Sequence, residues 1–227
     1  MSNDASKDGS KEKPARILIV DDHELVRHGL AQLLSDEPDL EICGEAEDVD
    51  GAIQQVEEKN PDLVVVDISL KNGNGLELIK WIKNNHANVK MLVSSMHDES
   101  LFAERVLHAG AMGFINKQQA MATVIDAIRQ VLAGHVYLSP DMTDRLVHGI
   151  VDGQGKPGTS PVNRLSDREL QVFEMIGQGL STREIANQLH LSIKTIETHR
   201  EHIKDKMSLK NAAELSRHAV QWVLENA

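Results

Sequence analysis

Short runs rich in apolar residues alternate with segments of three-to-four-residue apolar spacing through the first half of the chain. The runs are Arg16-Ile17-Leu18-Ile19-Val20, Leu40 to Ala46, Leu63-Val64-Val65-Val66, Val89 to Val93 and Met112-Gly113-Phe114-Ile115. Consecutive aliphatic side chains cannot alternate between core and water, so Leu63 to Val66 predicts a strand covered on both faces, as in a parallel sheet, and the other runs predict further strands. Between the first two, Leu25, Val26, Gly29, Leu30, Leu33 and Leu34 mark one buried helix face. Val49 to Glu58, the segment holding Leu76, Leu78, Ile79 and Ile82, Glu99 to His108, and Ala120 to Leu132 predict further helices. Strand and helix in alternation with short connections imply right-handed crossovers and an α/β domain.

Beyond Leu132 the pattern changes. Gly134 to Pro140 breaks the helix signal, and Met142, Leu146, Val147 and Ile150 predict a short linker helix. Asp152 to Pro161 is rich in Gly, Pro and Ser without apolar periodicity and reads as a flexible tether. From Leu165 the signals are helical only. Ser166 with Glu169, and Ser181 with Glu184, have the form of capping boxes. Leu170, Phe173 and Ile176 give the first helix one apolar face, and Gly177 and Gly179 end it. A short helix from Thr182 to Leu189, a turn through His190 and Leu191, and a third helix capped by Ser192 and running to about Met207 follow. Two helices joined by a tight turn, the second with a polar face, have the form of a helix-turn-helix reader.

With 227 residues the chain has room for two modest domains, each with its own core. A net charge of -11 excludes a protein that is basic throughout, but the acidity is uneven: from Pro161 onward nine basic residues balance nine acidic ones. Nucleic-acid binding therefore stays open for the second part. Cys43 is the only cysteine, which excludes a disulfide framework or thiolate metal site and fits a reducing cytoplasm; it is expected as a small buried strand residue. No apolar run approaches the roughly 20 residues that span a bilayer, so no membrane partner is expected. The first residues lack the apolar core of a signal peptide and read as a disordered tail.

The candidate chemistry gathers where the apolar runs stop. The first run ends in Asp21-Asp22, the third in Asp67, the fourth in Ser94-Ser95 and the fifth in Asn116-Lys117. In open α/β sheets ligands bind outside the carboxyl ends of the strands. Three carboxylates there repel one another unless a cation joins them, and oxygen ligands of this kind suit Mg²⁺. The plainer alternative is that Asp21 or Asp22 caps the following helix. A carboxylate nucleophile, a metal and donors for the equatorial oxygens are the set that phosphoryl transfer to a carboxylate requires.

On these residues, from about 15 to 132, the chain resembles the receiver domain of two-component response regulators. The resemblance implies that Asp67 is the phosphoacceptor, that Asp21 and Asp22 help hold Mg²⁺, and that the Ser69 backbone carbonyl completes the protein's metal ligands. It implies further that Ser95 hydrogen-bonds the phosphoryl group, that Lys117 pairs with it, and that Phe114 is an aromatic whose orientation reports phosphorylation. Lys71 departs from the family's proline in the loop after Asp67, which suggests a more mobile or more cationic loop. Ser69 and Met96 fall where the family tunes phosphoryl loss, and the bulk of Met96 predicts a phosphorylated state that is not especially short-lived.

From Arg164 to Trp222 the chain resembles the LuxR-type helix-turn-helix domain, carried by Leu165-Ser166-Asp167-Arg168-Glu169, Gly179-Leu180-Ser181, Glu184-Ile185-Ala186, Leu189, Ser192, Thr195-Ile196, His199 and Ile203. Glu169 is expected to pin neighbouring helices. Lys194, Thr195, Arg200, Lys204 and Lys206 are candidates for phosphate contacts, and Glu197, Thr198 and Glu201 occupy positions that reach base edges in relatives. Glu197 and Glu201 pairing with neighbouring cations along the helix is the competing reading. Together the halves look like a response regulator of the NarL/FixJ type. The implied architecture is a flavodoxin-like (βα)5 receiver domain followed by an all-α four-helix DNA-binding domain. The expected divisions are a tail at 1–14, the receiver at 15–132, a linker at 133–163 and the DNA-binding domain at 164–227. The implied partners are a sensor histidine kinase, a double-stranded DNA operator, and a second copy of the chain meeting at a final helix through Ala212, Leu215, Ala219 and Trp222, with RNA polymerase as a further candidate. The expected role is cytoplasmic transcription regulation rather than enzymatic turnover beyond the receiver's own phosphorylation, with the resting receiver occluding the recognition helix. An enzyme using Asp67 on a small substrate, and a receiver that signals by contact alone, are the competing classes.

Overall fold

The computed structural model describes residues 13–71, 73–97, 99–119, 121–151 and 161–226. Residues 1–12 of the expected tail and 152–160 of the expected tether lie outside them. The chain opens with β1 (Ala15–Val20), α1 (Glu24–Ser35), β2 (Leu40–Ala46), α2 (Val49–Lys59) and β3 (Leu63–Val66). A hairpin of β4 (Ser69–Leu70) and β5 (Gly73–Asn74) leads into α3 (Gly75–Asn85). Then come β6 (Lys90–Ser95), α4 (Glu99–Ala109), β7 (Phe114–Asn116) and α5 (Met121–Leu132).

Five strands form one parallel sheet in the order β2-β1-β3-β6-β7. Ile17 to Val20 and Leu63 to Val66 are at most 2% exposed, as expected of strands covered on both faces. Each such side chain contributes about 1.5–3 kcal/mol of burial. The order steps outward in opposite directions from β1 and β3, so the crevice at their carboxyl ends is the switch point where such sheets bind ligands. The β4–β5 hairpin did not show in the sequence, since strands of two residues lie below any readable period. At the end of β4, Lys71 Nζ lies 2.8 Å from Glu47 Oε2 at the surface. Cys43 sits on β2, half-buried rather than fully buried, and burial pushes its thiol pKa up.

After α5 the chain returns to the sheet edge, where Tyr137 bridges to Gly113. It continues through α6 (Pro140–Val151) and a 3₁₀ turn (Pro161–Arg164) to α7 (Asp167–Gly177), α8 (Thr182–Gln188), α9 (Ile193–Met207) and α10 (Ala212–Asn226). Both expected capping boxes close: Ser166 and Ser181 accept from the backbone of Glu169 and Glu184, whose carboxylates take the cap residues' own N–H groups. Periodicity predicted one apolar face for α7, yet every residue from Glu169 to Ile176 is buried. The second face, with Gln171 and Glu174, is covered by the receiver half. Leu215 and Ala219 of α10 are fully buried inside the helical domain and Trp222 packs on Phe173, so these three members of the expected dimer contact are core, while Ala212 is exposed. Gly177 permits the close approach of α7 and α10, since a Cβ there would stand 2.4 Å from the Ala219 carbonyl.

Candidate functional site

Sheet register builds the acid pocket. Val20 pairs with Val66, so Asp21 and Asp67 leave adjacent strands side by side. Both are almost fully buried. Lys117, just past β7, reaches both: its Nζ lies 2.6 Å from Asp21 Oδ2 and 2.8 Å from Asp67 Oδ2. Burial raises the Asp67 pKa, with Lys117 opposing the rise and Asp21 adding to it. Burial pulls the Lys117 pKa down, but Asp67 and Asp21 more than offset it and hold the ammonium above its ordinary value. One shared cation thus keeps the resting carboxylates compatible.

Ligand atoms of Asp21, Asp22, His23 and Asp67 lie within 4.8 Å of one another. Asp67 Oδ1 is buried without a hydrogen-bond partner, which is the donor a divalent cation or an incoming phosphorus would use. These hard oxygen ligands fit Mg²⁺. Neither acid is the α1 cap: the cap residue is His23, whose backbone N–H donates to Asp21 Oδ1 at 2.9 Å. His23 Nδ1 also stands 2.6 Å from Asp22 Oδ1, an ion-pair approach without hydrogen-bond geometry. Gly75 lets the loop close under the site, for a Cβ there would lie 2.0 Å from the Asp67 carbonyl oxygen.

Ser95 is fully buried at the end of β6, and its carbonyl accepts from the Lys117 backbone N–H. Two residues on, His97 joins three groups. Its backbone N–H donates to Ser95 Oγ at 3.4 Å, its Nε2 meets Ser69 Oγ at 3.0 Å, and its Nδ1 meets Glu174 Oε2 at 2.6 Å. A neutral imidazole satisfies both side-chain partners by accepting the Ser69 hydroxyl proton and donating Nδ1–H to the carboxylate. Phe114 is buried inside the core. Met96 is exposed beside the pocket.

Glu174 belongs to α7, so His97 ties the pocket to the second domain. Arg168 donates to the Gly73 carbonyl, Asn74 to Gln171, and Arg105 to Asp167 and to the Leu165 and Val162 carbonyls. Lys80 pairs with Asp167, and His190, in the turn between α8 and α9, lies 3.1 Å from Asp22 Oδ2. His97, Glu174 and His190 escaped sequence reasoning. Each is an unremarkable polar residue on its own element, and only the docking of the domains gives it a partner.

Of the DNA-contact candidates, Lys194, Glu197, Thr198 and Glu201 are exposed and Thr195, Arg200 and Lys204 half-buried on α9. The recognition face is therefore not buried by the receiver, contrary to expectation. Ser192, Ile193 and Lys194 at its amino-terminal end are exposed too, and the receiver touches only the preceding turn, through His190 at the acid pocket. Glu201 pairs with Lys204 at 2.8 Å, as the competing reading held. Lys206 meets Glu169 at 2.6 Å and so pins α9 to α7. Lys206 and the Ser166 N–H hold Glu169 below the usual carboxylate range although its burial opposes this.

Comparison with known proteins agrees with this division. Residues 17–129 match the response regulator receiver domain, and residues 163–219 match the bacterial regulatory proteins of the luxR family. The oxygen regulatory protein NreC of Staphylococcus carnosus is 35% identical over 91% of this chain and 97% of its own. The response regulator UvrY of Escherichia coli is 34% identical over 93% of this chain and 96% of its own. Among solved structures, RcsB of Salmonella enterica serovar Typhimurium, bound to promoter rprA with the phosphomimetic BeF3-, is 26% identical with a TM-score of 0.60, covering 92% of this chain and 99% of that one. A structure of two RcsB dimers on two parallel DNAs is 26% identical with a TM-score of 0.56, covering 95% of this chain and 100% of that one.

Proposed function

We propose, from the premise that this chain belongs to the response regulators that join a receiver domain to a LuxR-type helix-turn-helix domain and regulate transcription, that phosphorylation of Asp67 by a sensor histidine kinase controls when α9 engages DNA. The receiver spans 15–132, the linker 133–163 and the DNA-binding domain 164–227. The observation that carries this reading is the meeting of Asp21, Asp67 and Lys117 at the carboxyl ends of β1, β3 and β7 of one parallel sheet.

Asp67 Oδ1, the oxygen that Lys117 leaves unengaged, is the nucleophile. Its O–P bond forms as the donor's N–P bond breaks, and the leaving imidazole recovers a proton from solvent. Asp21, Asp22, Asp67 and the Ser69 carbonyl would hold Mg²⁺, which would supply charge neutralisation on the phosphoryl oxygens when bound. Lys117 then turns from Asp67 Oδ2 to the phosphoryl group, and the Ser95 hydroxyl donates to it. The new charge is about -1.5 to -2 at neutral pH. Both Ser95 and Ser69 lean on His97, so drawing either towards the phosphoryl group loads the bond between His97 and Glu174. Repacking of Phe114 accompanies that movement. Separation of the domains releases the turn before α9 from the acid pocket and lets α9 reorient so that its amino-terminal end enters the major groove.

On DNA, Lys194, Thr195, Arg200 and Lys204 meet phosphates while Glu197, Thr198 and Glu201 face base edges. Val220 and Leu224, exposed on the outer face of α10, meet a second copy and set an inverted-repeat operator. RNA polymerase is the partner through which the bound dimer acts, and the DNA target places the protein in the cytoplasm. Intact-mass measurement after incubation with Mg²⁺ and a small-molecule phosphodonor tests the reading. One added phosphoryl group, absent from Asp67→Asn, is expected. Addition that persists in the variant would refute Asp67 as the acceptor.

A further inference from the structure

Asp22 has two claimants. In the metal reading above, on which this inference rests, a carboxylate oxygen of Asp22 faces the cation. In the docked arrangement His190 Nε2 lies 3.1 Å from Asp22 Oδ2, and His23 Nδ1 lies 2.6 Å from Oδ1. The Asp22 side chain is only 3% exposed, so little room is left around its oxygens. Mg²⁺ demands ligands at about 2.0–2.1 Å in near-octahedral array and keeps several waters. An imidazole 3.1 Å from Asp22 Oδ2 would crowd a cation that drew on this carboxylate and kept its waters.

The backbone that carries this imidazole is constrained. His190 has φ 52°, a left-handed conformation that fixes where its Cβ points. The turn that holds it is tied on both sides, by the His190 N–H to the Asn187 carbonyl at 3.3 Å and the Leu191 N–H to the Ala186 carbonyl at 2.9 Å. Ser192, the next residue, caps α9. Displacing the ring from Asp22 therefore removes a contact that holds this turn, and the recognition helix after it, against the receiver.

We infer that His190 and the divalent cation compete for Asp22, so that cation binding in the acid pocket and docking of the DNA-binding domain oppose each other before any phosphoryl group arrives. By linkage the effect is reciprocal: the factor by which docking weakens cation binding is the factor by which the cation weakens docking. The cation is then part of the release of α9 as well as of the phosphoryl chemistry.

Titration calorimetry of the full chain with Mg²⁺ alone, at constant ionic strength and without phosphodonor, tests this. His190→Gly removes the ring and relieves the positive φ, and it is expected to bind Mg²⁺ about fivefold or more tightly than the natural chain. Asp22→Asn is the control that should lose most of the binding. In parallel, amide exchange across residues 186–193 should speed up on adding Mg²⁺ to the natural chain and stay unchanged in Asp22→Asn. Equal affinity in the natural chain and His190→Gly, with binding still lost in Asp22→Asn, would overturn the competition and leave the metal placement standing. Weaker binding in His190→Gly would make His190 a ligand and overturn it equally. Absence of binding in all three proteins would bring down the metal placement and this inference together.

Discussion

Replacing His97 by alanine should release the DNA-binding domain without phosphorylation. The His97 Nδ1 contact to Glu174 Oε2 is 2.6 Å long, and Glu174 is 2% exposed. Its other oxygen takes only a 3.3 Å bond from Gln178 within the same helix. A hydrogen bond to a charged group contributes about 1.5–3 kcal/mol, and the variant would leave that carboxylate buried against a cavity whenever the domains dock. Undocked, Glu174 is hydrated, so the cost falls on the closed state alone. At about 1.4 kcal/mol per factor of ten, the closed-to-open ratio should fall about ten- to a hundredfold. The assay is fluorescence anisotropy with an operator duplex selected from random sequence by phosphorylated natural protein. Unphosphorylated His97→Ala should bind it about tenfold more tightly than unphosphorylated natural protein, and Glu174→Gln combined with His97→Ala should add little. If His97→Ala binds no better, while phosphorylation of the natural protein still strengthens binding, the contact does not hold the domains shut.

Gly75→Ala sets a Cβ 2.0 Å from the Asp67 carbonyl oxygen, and it should lower stability by about 1–3 kcal/mol in urea unfolding; an unchanged midpoint would mean that the loop yields freely. Glu169 has a folded pKa below its ordinary 4.5, so its stabilisation is complete above about pH 4.5 and is lost as pH falls through the folded value. Thermal melts of natural protein and Lys206→Met should therefore differ most near neutrality and converge in acid, and a difference independent of pH would contradict that sign. Leu224→Glu places a charge on the outer face of α10, where Leu224 is 75% exposed, and light scattering of the phosphorylated variant should show monomer where natural protein shows dimer.

The sequence by itself determined most of the secondary structure and the members of the acid pocket. Four aliphatic residues in a row at Leu63 to Val66 admit only a strand covered on both faces, and the polar residue that ends each run falls at the same edge of a parallel sheet. The two capping boxes were legible for the same reason, since their partners lie three residues apart. Local rules sufficed wherever both partners were near in sequence or the strand topology fixed their meeting.

What only the tertiary structure decided is how the halves face each other. The burial of Gln171 and Glu174 contradicts the single apolar face that periodicity assigned to α7, because the receiver supplies its second covering. Leu215 and Ala219 turned inward, since α10 folds back on α7 where Gly177 lets the two backbones approach. Partners such as His97 with Glu174, and Asp22 with His190, are separated by 77 and 168 residues. No local pattern marks such pairs, because each becomes a pair only when two separately folded surfaces come together.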